Sequence, residues 1–105
     1  MPARSLKALK KGDLKKLLKT HQNWSMNAKG TQLTRTFRFS NQIDALAFIA
    51  RIVVHAQVIT HYPEITFTLG KVKVMLTTTE VKGLSSYDAE LLERIDGLSK
   101  VDNKR

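Results

Sequence analysis

The chain has 105 residues, 42% of them hydrophobic, no cysteine, and 18 Lys and Arg against 9 Asp and Glu, for a net charge of +9. That length suits a single domain over residues 1–105 with one modest core, and the lack of cysteine excludes disulfides and thiolate metal sites. The opening residues lead into lysines rather than an apolar run, and no stretch reads as the roughly 18 to 20 apolar residues of a membrane span. The expectation is a cytoplasmic protein whose charge favours acidic partners: nucleic acid, anionic lipid or an acidic protein surface.

The first element is a basic amphipathic helix across Lys7 to Lys19, with Leu14, Leu17 and Leu18 at helical spacing and Asp13, after Gly12, as its N-cap. Lys7, Lys10, Lys11, Lys15, Lys16 and Lys19 are candidates for binding an acidic partner; a charged face that is simply solvated is the other reading. From Asn23 to Ser40 the period falls to two, predicting two strands joined by a turn at Asn27-Ala28-Lys29-Gly30. Trp24, Phe37 and Phe39 are expected in the core. Their interleaving with Arg35 and Arg38 also fits a nucleic-acid platform, but no recognition-module signature accompanies it.

Ser40 caps the next predicted helix, which runs through Thr60 with Ile43, Leu46, Ala47, Ala50, Val53 and Val54 along one face. Phe48, Ile49 and Ile52 widen that apolar surface, so the helix is expected to pack on the sheet and to touch a partner as well. His55 has no second ligand at metal spacing and is read as structural or exposed, and no metal or cofactor is expected. A hairpin follows: Ile65 to Leu69, a turn at Gly70-Lys71 with Gly70 first as in type II′, then Val72 to Leu76. Ser85 and Asp88 stand at capping-box spacing before a last helix that buries Leu91, Leu92, Ile95 and Leu98, with Val101 to Arg105 frayed. The order αββαββα with paired hairpins predicts an α+β fold, a four-stranded antiparallel sheet with three helices packed on one face.

Thr60-His61-Tyr62-Pro63-Glu64, Lys71-Val72, Leu76-Thr77-Thr78-Thr79-Glu80, Gly83-Leu84-Ser85 and Asp88 together resemble the pterin-4a-carbinolamine dehydratases, over about Leu17 to Leu98. The resemblance implies the same fold and a homodimer joined edge to edge through its sheets. It also implies an activity: removing water from a 4a-hydroxytetrahydropterin, with imidazoles as proton donors and acceptors. Mapped onto this chain, the family's marks fall on Gln57, His61, Tyr62, Pro63, Leu69, Thr79 and Asp88. His61, Pro63 and Asp88 match; Gln57, Tyr62, Leu69 and Thr79 depart from the pattern. A phenol titrates roughly near pH 10 and a threonine hydroxyl does not titrate in water, so neither replaces a histidine in neutral proton transfer.

His61 is therefore read as the remnant of a degenerate catalytic site. The family has a divergent branch that assists RuBisCO assembly in α-carboxysome gene clusters, and the short length, basic character and depleted site are similar to it. The expected function is a non-catalytic assembly factor for an acidic client such as the RuBisCO large subunit, carboxysome-associated within the cytoplasm. The alternatives are a weak or altered dehydratase that uses His61, and a nucleic-acid-binding transcriptional cofactor.

Overall fold

Residues 7–102 are described by the computed structural model. Helix α1 spans Lys11–Thr20, and strands β1 (Ser25–Met26) and β2 (Leu33–Arg38) follow it. Helix α2 (Gln42–Ile59) leads to strands β3 (Glu64–Thr68) and β4 (Lys71–Leu76). A short 3-10 turn (Thr79–Val81) then precedes helix α3 (Ser86–Asp102). The strands form one antiparallel sheet in the order β1-β2-β4-β3. The predicted order and fold class are those observed.

Alternation decides the faces of this sheet. Leu33 and Phe37 of β2 and Val72, Val74 and Leu76 of β4 are buried on one side. They meet Leu14 of α1, Phe48 and Ile52 of α2, and Leu91, Leu92 and Ile95 of α3 in a single core. Thr36, Arg38, Thr66, Thr68, Lys71 and Lys73 stand exposed on the opposite side. Phe37 and Trp24 are buried, and Phe39 packs against Phe48 with ring centroids 5.3 Å apart. The aromatic residues of β2 thus belong to the core, leaving that strand without an exposed stacking platform.

The helix starts differ from expectation by a residue or more. Lys10, not Asp13, holds the N-cap position of α1; Asp13 lies in the first turn, where its carboxylate accepts from the Lys10 backbone N–H at 3.2 Å. Asn41, not Ser40, caps α2, its side-chain oxygen accepting from the Asp44 N–H at 2.8 Å. In the β3–β4 hairpin Thr68 pairs with Lys71, so the loop residues are Leu69 and Gly70. Gly70 is the second of them, at φ +71°, which excludes the predicted type II′ turn. The final helix extends to Asp102, past the predicted fraying point, and residues 103–105 lie outside the described residues.

Helix α2 is the largest correction. Its buried residues are Ala45, Phe48, Ile52 and Ala56, while Ile43, Leu46, Val53, Val54 and Val58 of the predicted face and its flank are exposed. A helix that is apolar around most of its circumference gives periodicity too little contrast to choose a face. With 18 residues and a mean hydropathy of 1.5, α2 also meets the length and composition of a membrane span, against expectation. In this fold it packs one side on α3 and β4.

One polar cluster in the core lies outside every sequence expectation. Asp96 of α3 accepts from Trp24 Nε1 at 2.7 Å and from Arg35 Nη1 at 2.7 Å, and His21 Nδ1 lies 2.6 Å from its other oxygen. Arg35 also sits over the Phe37 ring, 4.3 Å from its centroid. The arrangement ties the β1 approach and β2 to α3. His55 is half-buried, its Nδ1 3.0 Å from Arg94 Nη1.

Candidate functional site

The site is assembled where three chain reversals meet. Thr60 ends α2 in the left-handed region at φ 59°, and the His61 N–H donates back to the Ala56 carbonyl at 3.1 Å. Pro63 cannot continue a helix, so the chain leaves as β3 with His61 at its head. After β4, the bridge between Thr78 and Gly83 folds a tight loop beside His61, with Lys82 at φ 53°. Ser85 and Asp88 then start α3 at the predicted spacing, with the return bond of a capping box formed but the Ser85 hydroxyl on the Tyr87 N–H instead of that of Asp88. Ser85 Oγ accepts from the Tyr87 N–H at 3.2 Å, and the Asp88 carboxylate accepts from the Ser85 N–H at 2.9 Å.

The Asp88 carboxylate does more than cap. It is fully buried and also accepts from Thr78 Oγ1. His61 Nε2 lies 2.6 Å from Asp88 Oδ1 and 3.3 Å from Thr78 Oγ1. With Nε2 held by the Asp88 carboxylate, Nδ1 is the ring nitrogen left for other contacts. The His61 side chain is only 11% exposed, and its ring lies 6.0 Å from that of Tyr87.

In front of this pair is an open cavity of about 400 Å³ whose lining includes His61, Tyr62, Glu64, Thr77, Thr79 and Glu80. Two of the four departed positions, Tyr62 and Thr79, thus meet His61 as the mapping implies. Gln57 is not in the lining, but its side chain accepts from the exposed Tyr62 hydroxyl, and Thr79 Oγ1 donates to Glu80 Oε1 at 3.3 Å. Leu69 does not join them. It sits in the β3–β4 turn, 83% exposed, at the end of the hairpin away from Glu64 and Met75. Within one chain it is no wall of this cavity, because β3 carries it away at about 3.3 Å per residue.

Thr78 belongs to the stretch that carries the family resemblance but has no role assigned there, although it links Asp88 to His61 and to Ser85, whose Oγ is 2.8 Å away. A threonine in a run of three gives no local signal for such a role. Its significance comes from contact with a residue ten positions later. Glu64 and Glu80 enter the cavity in the same way, as carboxylates brought together by the two reversals.

The candidate lysines lie on another part of the surface. Lys10, Lys11, Lys15, Lys16 and Lys19 are exposed on or beside α1. Lys7 is exposed and its carbonyl accepts from the Ser86 N–H at 3.1 Å, placing the start of the basic segment against the beginning of α3. Among the described residues no group of three His, Cys, Asp or Glu side chains is placed to hold a metal ion.

Residues 7–98 match the family model for pterin 4 alpha carbinolamine dehydratase. Among curated proteins, the chain is 37% identical over 75 residues to the "Putative pterin-4-alpha-carbinolamine dehydratase" of Ruegeria pomeroyi, covering 71% of this chain and 77% of that one. Among solved structures, a transcriptional coactivator/pterin dehydratase from Brucella melitensis superposes with a TM-score of 0.81 at 22% identity, over 87% of this chain and 97% of that one. A pterin dehydratase-like protein identified as a RuBisCO assembly factor in the α-carboxysome superposes with a TM-score of 0.63 at 20% identity. There the shares are 74% of this chain and 90% of the other. At these identities the two structures establish a common fold.

Proposed function

The chain belongs to the pterin-4a-carbinolamine dehydratase family, and from that premise we propose that it is a non-catalytic member acting as an assembly factor for an acidic protein client, the RuBisCO large subunit. The observation that carries this reading is the composition of the cavity. His61 is its one imidazole, and its Nε2 is committed to Asp88. The side chains beside it, where the family resemblance calls for further imidazoles, are Tyr62, bonded to Gln57, and Thr79, bonded to Glu80. Each missing general acid or base lowers a rate by roughly a hundredfold to ten-thousandfold. Fold and capping network are retained while the proton-transfer set is reduced, and function resides in sites rather than folds.

The exposed lysines of α1 and the net charge of +9 suit an acidic client, with electrostatics speeding encounter. The RuBisCO assembly factor of the same fold supports the choice of client. The working unit in this proposal is a cytoplasmic, carboxysome-associated homodimer. Two features support the dimer: the outer edge of β3, which ends the sheet, and the exposed Leu46, Val54 and Val58 on α2. Co-expression of RuBisCO with and without the protein is the test. A higher yield of assembled, active enzyme is expected, and an unchanged yield would sink the assignment.

A second reading, a slow dehydratase, is favoured by one feature: the intact His61–Asp88 pair facing a 400 Å³ cavity. Stopped-flow dehydration of a 4a-hydroxytetrahydropterin separates the two readings. A rate above background that disappears in His61→Ala supports the enzyme, and a rate equal to background removes it.

A further inference from the structure

The lysines of α1 border a groove that the family resemblance does not account for. Leu9, Leu14 and Leu18 form one side of it, Met26 and Ala28 the other, and its volume is about 460 Å³. Lys11 and Lys15 line it from the helix, and Lys29 lines it from the β1–β2 turn. That turn is a firm wall. Asn27 Oδ1 accepts from the N–H groups of Thr31 and Gln32 at 2.8 and 2.9 Å, and the Gly30 N–H donates to the Asn27 carbonyl at 3.0 Å.

We propose that this groove is the docking site for an acidic amphipathic segment of a partner protein, its apolar side chains on the leucine and methionine floor and its carboxylates on Lys11, Lys15 and Lys29. The proposal rests on the assembly-factor reading and assigns the client a face. Three observations select the occupant. First, none of the three lysines holds an ion pair among the described residues, and no carboxylate lines the groove. Second, Lys11 and Lys15 are four residues apart on one helix, a mildly repulsive like-charge spacing that is relieved by an external anion. Third, the cations stand on both walls, so several carboxylates are needed to meet them, whereas a fatty acid brings one.

The floor is aliphatic and thioether, without an aromatic ring on which a base could stack, which favours a peptide over a nucleic acid. Met26 is 41% exposed, and its flexible thioether suits a surface that must fit an irregular apolar segment. The volume is within the roughly 300 to 1,000 Å³ of ordinary ligand clefts, enough for a few anchoring side chains.

The experiment uses the full chain, isotope-labelled, titrated with a synthetic helical peptide carrying a leucine stripe flanked by glutamates. Amide shifts are expected over residues 9–18 and 26–30. Affinity should fall roughly tenfold or more in the triple variant Lys11→Glu, Lys15→Glu, Lys29→Glu, and also in Met26→Glu. The milder Lys→Gln triple variant, checked for an unchanged thermal unfolding midpoint, guards against a folding artefact. Shifts elsewhere, equal binding of a glutamine-for-glutamate peptide, or preference for decanoate or duplex DNA would each overturn the proposal. RuBisCO co-expression with the parent and the triple variant separates the two ideas. Equal assistance by both discards the groove but keeps the client; peptide binding in the groove without any assistance keeps the groove but discards the client.

Discussion

His61 Nε2 and Asp88 Oδ1 lie 2.6 Å apart, joining the end of α2 to the first turn of α3 across 27 residues of sequence. One carboxylate thus caps a helix, orients an imidazole and receives the Thr78 hydroxyl. Because Asp88 is fully buried, removing it strands several donors at once. Asp88→Ala is expected to lower unfolding stability by about 2 to 4 kcal/mol, well beyond the loss of a helix cap alone. Urea denaturation checks this; a loss under about 1 kcal/mol would mean that the buried donors find other partners.

If the chain is non-catalytic, as proposed, for want of side chains rather than scaffold, supplying those side chains should create dehydratase activity. Tyr62 and Thr79 line the same cavity as His61. The double variant Tyr62→His, Thr79→His is expected to raise the dehydration rate over the parent by roughly a hundredfold or more. A rate that stays at background would place the deficit in the backbone or the cavity shape instead.

The Asp96 cluster makes a separate stability prediction. Its side chain and that of Arg35 are 9% and 14% exposed, so Asp96→Leu leaves a largely buried guanidinium without its carboxylate. The expected cost is about 3 to 5 kcal/mol. Trp24 is the single tryptophan and donates directly to Asp96, so its fluorescence should change in the variant even under folding conditions. Unaltered emission together with parental stability would contradict the structural role given to this cluster.

Two glycines should respond in opposite directions. At Gly70, φ is +71° and an added Cβ would approach the Phe39 carbonyl oxygen to 3.3 Å. Gly70→Ala is therefore expected to destabilise by about 1 kcal/mol or more. Gly97 lies within α3 with nothing within 4 Å of an added Cβ. Gly97→Ala is expected to stabilise by about 0.5 to 1 kcal/mol through helix propensity. Thermal unfolding of the pair provides the comparison, and shifts of the same sign would refute it.

The proposed edge-to-edge dimer can be tested at β3. The Phe39 N–H donates to the Gly70 carbonyl, which sets the alternation of the β2–β4 and β3–β4 ladders and turns the Ile65 and Phe67 amides toward the open edge. Phe67→Pro therefore removes no donor from the hairpin but blocks an added strand. Sedimentation velocity should show a dimer for the parent and a monomer for the variant; a variant that remains dimeric would move the interface elsewhere, α2 being the next surface to examine.

The sequence alone determined the order of elements, the two hairpins, the inward residues of β2 and β4, and the Ser85–Asp88 cap. These depend on period-two alternation and on residues within a few positions of one another, which any reader of the chain can count. It also placed His61, Tyr62 and Thr79 at a common site, through family resemblance. Only tertiary structure decided which side of α2 is buried, since a helix apolar nearly all round offers no contrast. Only tertiary structure made partners of Asp88 with His61 and of Asp96 with Trp24, Arg35 and His21. A carboxylate 27 or 72 residues away leaves no local pattern; its pairing is enforced when the core closes and burial leaves each charge and donor nowhere else to bond.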